Sequence, residues 1–336
     1  MHGQRPRAAL AMTPDAAAAV LGDGGLAALG HVCDLAAGPV LDDFAAQRAK
    51  AVLSDVEVLV TGWGCPVLDE AALAMAPELK AVVHTAGSVR GHVTQACWDR
   101  GIVVSSAAAA NALPVAEYTV AMILLSGKRV LERAREYRET RTNDWLATPR
   151  EVGNFGRTVG ILSASMIGRR VAELLRQYDL RLLVHDPYLS DDEAAVLGVQ
   201  PVSLRELFQR SDVVTVHTPL LPATRGLVSR ELLAMMRPDA VLINTARGAV
   251  VDQDALAAAA LAGRIRAIVD VTDPEVLPPG HPLWDCDNVI ITPHLAGSQG
   301  NEWGRLANLA IAEIGRWIAG EKFAYPVRRE TLDRQA

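Results

Sequence analysis

Three residues in the last third of this chain could do chemistry together. They are Arg247 in Asn244-Thr245-Ala246-Arg247-Gly248, Glu275 in Asp273-Pro274-Glu275, and His294 in Thr292-Pro293-His294-Leu295-Ala296-Gly297. An arginine can hold a carboxylate by two parallel hydrogen bonds. A histidine steadied by a carboxylate can move a proton at neutral pH. A cation, a carboxylate and an imidazole of this kind suit the oxidation of a 2-hydroxy acid or the reduction of a 2-keto acid.

Each of the three follows a short apolar run that reads as a buried strand. Parallel strands gather their carboxyl ends along one edge of a sheet, where open α/β folds place their chemistry. Strand-like runs recur at 7–12, 56–61, 80–84 and 101–105, then at 158–162, 181–185, 213–217, 240–244, 266–271 and 288–292. Between them lie stretches with helical spacing, such as 15–29 and 69–76. Apolar, β-branched strands alternating with helices imply parallel sheets covered on both faces, and two such series imply two domains. Long helices over about 111–130 and 300–320 stand where the series meet. They suggest a first domain of residues 1–105 completed by residues 300–336, with 106–299 inserted as a dinucleotide-binding domain.

Length and composition agree with that organisation. At 336 residues the chain favours two domains, and its 50% hydrophobic content is ample for two cores. No run reads as long and apolar enough to cross a bilayer. The apolar stretch at 8–12 is too short for a signal-peptide core and stops at Thr13-Pro14-Asp15, so a first strand is expected there. Cys33, Cys65, Cys97 and Cys286 are scattered, with neither metal-ligand spacing nor a dense disulfide framework. That usage suits thiols in a reducing cytoplasm. A net charge of −6 without basic clusters gives no electrostatic reason to invoke nucleic acid or an anionic membrane as partner.

The segment 158–170 reads strand, tight turn, helix. A dinucleotide-binding turn is usually G-x-G-x-x-G, which lets a pyrophosphate approach bare backbone at a helix N-terminus. Here it is Ser163-Ala164-Ser165-Met166-Ile167-Gly168, with only the third glycine retained. Taken alone, this is equally a plain strand-turn-helix. The next strand ends at Asp186, 18 residues after Gly168, close to the separation of about 20 expected for the acid that holds the adenosine ribose hydroxyls. Its charge would repel a 2′-phosphate, and Pro187-Tyr188-Leu189-Ser190 supplies no cation to receive one. The expected cofactor is therefore NAD rather than NADP. A Ser where the turn needs positive φ costs strain that Gly avoids, so weaker NAD binding is also expected.

The chain resembles the D-isomer-specific 2-hydroxyacid dehydrogenase family over nearly its whole length. The resemblance is carried by Val115-Ala116-Glu117, the Ser163–Gly168 turn with Asp186, His217-Thr218-Pro219-Leu220 running on to Thr224-Arg225-Gly226, residues 243–252, Asp270 with Glu275, and residues 292–297. It implies two Rossmann-like doubly wound domains, one flavodoxin-like and one NAD-binding, around a cleft and usually in a homodimer. It further implies that Arg247 binds the substrate carboxylate, that His294 is the acid/base and that Glu275 bonds to the imidazole. Asp270 would meet the nicotinamide carboxamide, and Gly87-Ser88-Val89 would offer backbone N–H groups to the substrate. His217, Thr218, Pro219, Thr245 and Ala246 would line the cofactor, with His217 equally placed to face the core. Two other readings stand beside this one. One is a dehydrogenase of the same fold for another small anion such as phosphite; formate is disfavoured by the presence of Glu275. The other is a nucleotide-sensing regulator without meaningful turnover. No motif in the first domain fixes which acid is the substrate.

Overall fold

The structure is a computed structural model that describes residues 5–142, 145–149 and 151–332. The first four and last four residues of the expected first domain therefore lie outside the described ones. Its strands are, in chain order, β1 (Arg7–Ala11), β2 (Asp34–Leu35), β3 (Val58–Thr61), β4 (Ala81–His84), β5 (Val103–Ser106) and β6 (Thr158–Leu162). They continue with β7 (Arg181–His185), β8 (Gln200–Pro201), β9 (Val213–Val216), β10 (Val241–Asn244), β11 (Arg266–Val269), β12 (Val289–Ile291) and β13 (Pro326–Val327). The chain divides into two compact units, residues 1–111 with 298–336, and residues 112–297.

The first unit holds a six-stranded sheet in the order β13-β5-β4-β3-β1-β2. All pairs are parallel except β13 with β5. Apart from that edge strand, this is the 2-1-3-4-5 order of flavodoxin-like sheets. Alternate residues feed two cores. Ala9, Leu59 and Val82 face one, while Ala8, Val58, Val60 and Val83 face the other. The C-terminal segment returns to this sheet through a buried carboxylate. Glu313, on the helix Trp303–Ile318, accepts from the Ser105 hydroxyl and from the backbone N–H groups of Ala324 and Tyr325, at 2.9–3.0 Å.

The second unit is a seven-stranded sheet, all parallel, in the order β12-β11-β10-β9-β6-β7-β8. Counted from β6 this is the Rossmann order 3-2-1-4-5-6 with one further strand. Leu162, Val214, Val216 and Leu242 pack on one face, and Val159, Ile161, Val213 and Ile243 on the other. Both sheets thus have the parallel, twice-covered character that the strand composition predicts.

Two expectations need correction. The helical stretch 15–29 is two helices, Pro14–Val20 and Gly22–Val32. Gly22 takes φ of +50°, which breaks the first helix and lets Leu21 turn inward beside Leu306 and Ala307. The expectation that no run could span a bilayer also fails as stated. The helix Ala108–Gly127 is long and apolar enough by length and composition. Its apolar character has a local explanation, because Ala116, Val120 and Ile123 are buried against Val159 and Ile161 of β6.

A buried polar cluster sits at the carboxyl edge of the first sheet. Thr61 Oγ1 lies 2.9 Å from His84 Nδ1 and 3.2 Å from His92 Nε2, and the two rings are 4.6 Å apart. Burial pushes the His84 imidazole down to about 3 and the His92 imidazole down to about 4. Both rings stay neutral in the fold, whereas the unfolded chain protonates them near 6.5. The stability they permit is complete above that value and is lost as pH falls from there toward 4 and then 3. Each ring should contribute a loss of about 1.4 kcal/mol per pH unit across that window. Denaturant titrations between pH 7 and 5 test this. The pH slope should fall when His92 is replaced by Asn, and an unchanged slope would show that the ring is accessible to protons in the folded state.

Candidate active site

The carboxyl ends of the second unit's strands carry the predicted residues in a single row. Along the edge, His294 follows β12, Glu275 follows β11, Arg247 follows β10, His217 follows β9, the Ser163–Gly168 turn follows β6, and Asp186 follows β7. These are six successive strands, and at about 4.8 Å per strand the row spans about 24 Å. Strand order reverses between β9 and β6, which is the switch point where open sheets leave a crevice for a ligand.

Local bonds hold the first three residues in place. The side chain of Asn244 folds over the next turn, accepting from Ala246 N and donating to Arg247 O, both at 3.0 Å. Gly248 is obligatory here, since a Cβ would lie 2.1 Å from the backbone carbon of Thr272. The Arg247 guanidinium is exposed, and its Nη1 donates to Ala246 O at 2.6 Å. Thr272 donates to the carbonyls of Pro274 and Glu275, which shapes the loop that carries the glutamate. Glu275 Oε1 then meets His294 Nδ1 at 2.5 Å, with both side chains about half exposed. An ionised carboxylate only accepts, so Nδ1 carries the proton and Nε2 is the nitrogen left for exchange.

Asp270 holds the loop beneath His294. Its carboxylate is buried and accepts from Thr292 Oγ1 at 2.5 Å and from Leu295 N and Ala296 N at 2.9 Å. The Thr292 hydroxyl has its proton committed to Asp270, so the Tyr118 hydroxyl, 2.9 Å away, donates to it. Three of about four acceptor positions on Asp270 are filled, which leaves one for an outside donor.

The turn after β6 explains its own serines. Ser163 takes φ of +80°, and its hydroxyl donates to Asp186 Oδ2 at 3.1 Å beside the Ala164 N–H at 2.8 Å. Ser165 has φ of −61° and caps the helix Met166–Leu175, so that position needs no glycine. Its hydroxyl donates to His217 O and accepts from Gly168 N. Gly168 is required, because a Cβ would lie 2.1 Å from Ser163 O. At the start of this helix the Met166 and Ile167 N–H groups have no intrahelical partner and are available to an anion. Asp186 also accepts from Tyr188 N, which leaves one acceptor position for a ribose hydroxyl.

His217 faces the core. Its ring is buried, Nε2 lies 3.0 Å from Thr215 Oγ1, and burial pushes the imidazole down to about 3. Nδ1 has no hydrogen-bond partner among the described residues. An orphaned buried ring nitrogen, a bare helix start and a carboxylate with spare capacity all fit a dinucleotide. Thr218, Thr245 and Ala246 are buried at the same edge, and Pro219 is half-buried. In the first unit, Gly87-Ser88-Val89 follows β4 in a loop that leaves Gly87 and Ser88 half-buried and Val89 buried. Thr61 holds both ends of that loop, through His92 and through the Thr85 N–H and hydroxyl bonded to Thr61 O. Sequence reasoning assigned no role to Asn244, Thr272, Thr292, Tyr118 or Thr61, because single polar residues at or just after strand ends, or in the case of Tyr118 within a long apolar helix, produce no periodic signal.

A sequence profile described as "D-isomer specific 2-hydroxyacid dehydrogenase, NAD binding domain" matches residues 120–296. The chain belongs to that family. It is 33% identical to the glyoxylate reductase of Thermofilum pendens over 272 residues, 79% of each chain. It is 32% identical to the D-3-phosphoglycerate dehydrogenase of Mycobacterium tuberculosis over 257 residues, 76% of this chain. The match covers 48% of that relative, so the chain spans about half its length. Among solved structures, the TT0316 protein of Thermus thermophilus superposes with a TM-score of 0.75 at 30% identity, covering 96% of this chain and 100% of that one.

The Ser163 arrangement generates a prediction. Replacing Ser163 with Gly relieves about 1–2 kcal/mol of left-handed strain and removes a hydrogen bond worth about 1 kcal/mol. Fold stability should therefore change little. The substitution also frees an acceptor position on Asp186, so NADH should bind more tightly, read as a lower Kd in fluorescence titration. An unchanged or higher Kd would mean that the Ser163 hydroxyl itself serves the cofactor.

Proposed function

We propose that this protein is an NAD-dependent oxidoreductase that interconverts small 2-keto acids and D-2-hydroxy acids, with Arg247, Glu275 and His294 as its catalytic residues. The observation that carries this reading is the Glu275–His294 pair one strand from Arg247, at the carboxyl edge of a family member's nucleotide-binding sheet. The D configuration comes from the family.

The bound nicotinamide supplies or accepts a hydride at the substrate C2. Arg247 holds the substrate carboxylate by paired hydrogen bonds and draws charge toward the reacting carbonyl. By the family resemblance, the backbone N–H groups of Gly87, Ser88 and Val89 in the first unit are assigned to substrate binding. His294 Nε2 gives its proton to the carbonyl oxygen in reduction and takes it back in oxidation. Glu275 fixes the ring through Nδ1 and balances the charge that the imidazole gains. Asp270, with one acceptor position open, is assigned the nicotinamide carboxamide. Met166, Ile167 and Gly168 are assigned the pyrophosphate, and Asp186 the adenosine ribose.

Preference for NAD over NADP rests on charge. Asp186 repels a 2′-phosphate, and Arg169, tied to this turn through Ala164 O, is already paired with Glu193 at 2.8 Å. A homodimer is also part of the proposal. The helix Val130–Thr140 buries none of its residues, and Leu131, Tyr137 and Leu146 nearby are exposed, which suits cover by a second copy.

The test is oxidation of NADH by glyoxylate, hydroxypyruvate and phenylpyruvate, followed by absorbance. Turnover with at least one of them is expected. His294→Ala should lower kcat by about 10²–10⁴-fold while leaving the Kd for NADH unchanged. Equal losses in both would remove His294 from the acid/base role.

A further inference from the structure

The amino edge of the second unit's sheet, opposite the row just described, forms a cavity of about 1000 Å³. Its walls come from the starts of β6, β7 and β8 and the residues before β9, with Arg157, Arg181, Arg210 and Arg237 converging on it. β6 and β7 are five residues long, so this edge lies about 17 Å from the carboxyl ends. A ligand held here is neither the substrate nor the dinucleotide of the proposed reaction.

The acids facing the cavity do not balance its cations. Asp212 is consumed, since Oδ1 accepts from Arg237 at 2.6 Å and Oδ2 from Thr158 N at 2.9 Å. Glu151 is the other carboxylate in the wall, which leaves two positive charges in excess on a chain whose net charge is −6. Arg210 donates to the neutral Gln200 Oε1 at 3.1 Å and has Glu206 at 3.9 Å. Arg181 has no side-chain hydrogen bond or ion pair among the described residues. Arg157 is half-buried, and Arg266, Arg129 and Arg237 crowd it with like charge. Phe155 stands at the wall with 89% of its surface exposed.

We propose that this cavity is a binding site for a small organic phosphate, with Arg181 and Arg210 holding the phosphate and Phe155 packing on its organic part. Arginine forks match phosphate oxygens in pairs, and an exposed aromatic face gains by stacking on a ring. The class that fits best is a nucleoside monophosphate.

Calorimetric titration with AMP, in the presence of saturating NADH to occupy the carboxyl edge, tests the site. One binding event is expected, preserved in His294→Ala and weakened at least about tenfold, equivalent to 1.4 kcal/mol, in the Arg181→Glu/Arg210→Glu variant. Both arginines are exposed, so the variant should fold, and circular dichroism checks that it does. Phe155→Ser should weaken AMP but not inorganic phosphate. Equal weakening of both would overturn the stacking contact and reduce the site to a phosphate cradle. Absence of binding of AMP and of phosphate at about 10 mM, or binding unaffected by the arginine changes, would overturn the proposal.

Discussion

The working edge of the second sheet depends on the Asp270 carboxylate. Three consecutive backbone N–H groups turn toward this residue: His294 N toward its carbonyl, Leu295 N toward Oδ1 and Ala296 N toward Oδ2. Successive N–H groups can converge in this way only if the chain curls, and the curl is made by His294 at φ of +53°. A left-handed conformation costs a non-glycine residue about 1–2 kcal/mol. The bonds to a buried, ionised acceptor are stronger than neutral ones, and together they offset that cost. The histidine is thus aimed by the backbone before Glu275 touches it. Glu275 selects the tautomer of a ring whose direction Asp270 has already set.

The turn after β6 shows the same trade between backbone and side chain. A glycine motif combines three separate demands, and the structure separates them. One position needs positive φ, one starts a helix, and one tolerates no Cβ. Here the first is met by a serine whose hydroxyl is bonded to Asp186, the second by a serine acting as a cap, and only the third by a glycine. A strict pattern match scores two losses in this turn. The geometry shows a single position under strain, with a compensating bond made to the acid expected to hold the ribose.

What could be read in the sequence follows from how each feature leaves its mark. The fold class was legible because buried parallel strands are near-continuous apolar runs, and the residues just after them fall on one edge. Arg247, Glu275 and His294 were found in that way, and the family resemblance supplied their assignments. The contact between Glu275 and His294, 19 residues apart, was not legible from spacing, because it depends on β11 and β12 being neighbours. The Thr292, Tyr118 and Thr61 hydroxyls were hidden for a related reason, since their partners are distant in the chain. The break at Leu21 was marked by Gly22, but the Ala-rich surroundings read as one continuous helix. In Ala108–Gly127, composition could not distinguish a helix buried in a core from one suited to a bilayer.

Histidine shows how burial assigns chemistry. His84, His92 and His217 are buried, and removal from water holds them neutral far below physiological pH. Their rings serve as hydrogen-bonding parts of the core, as the contacts to Thr61 and Thr215 show. An acid/base must exist in both protonation states under working conditions, which requires access to solvent or a compensating charge. Among the described residues, His294 is the histidine that has both, with half its side chain exposed and a carboxylate at Nδ1. These four imidazoles lie at or just beyond the carboxyl edges of the two sheets. Dielectric environment, rather than position along the chain, separates the one solvent-accessible imidazole among them from the three buried ones.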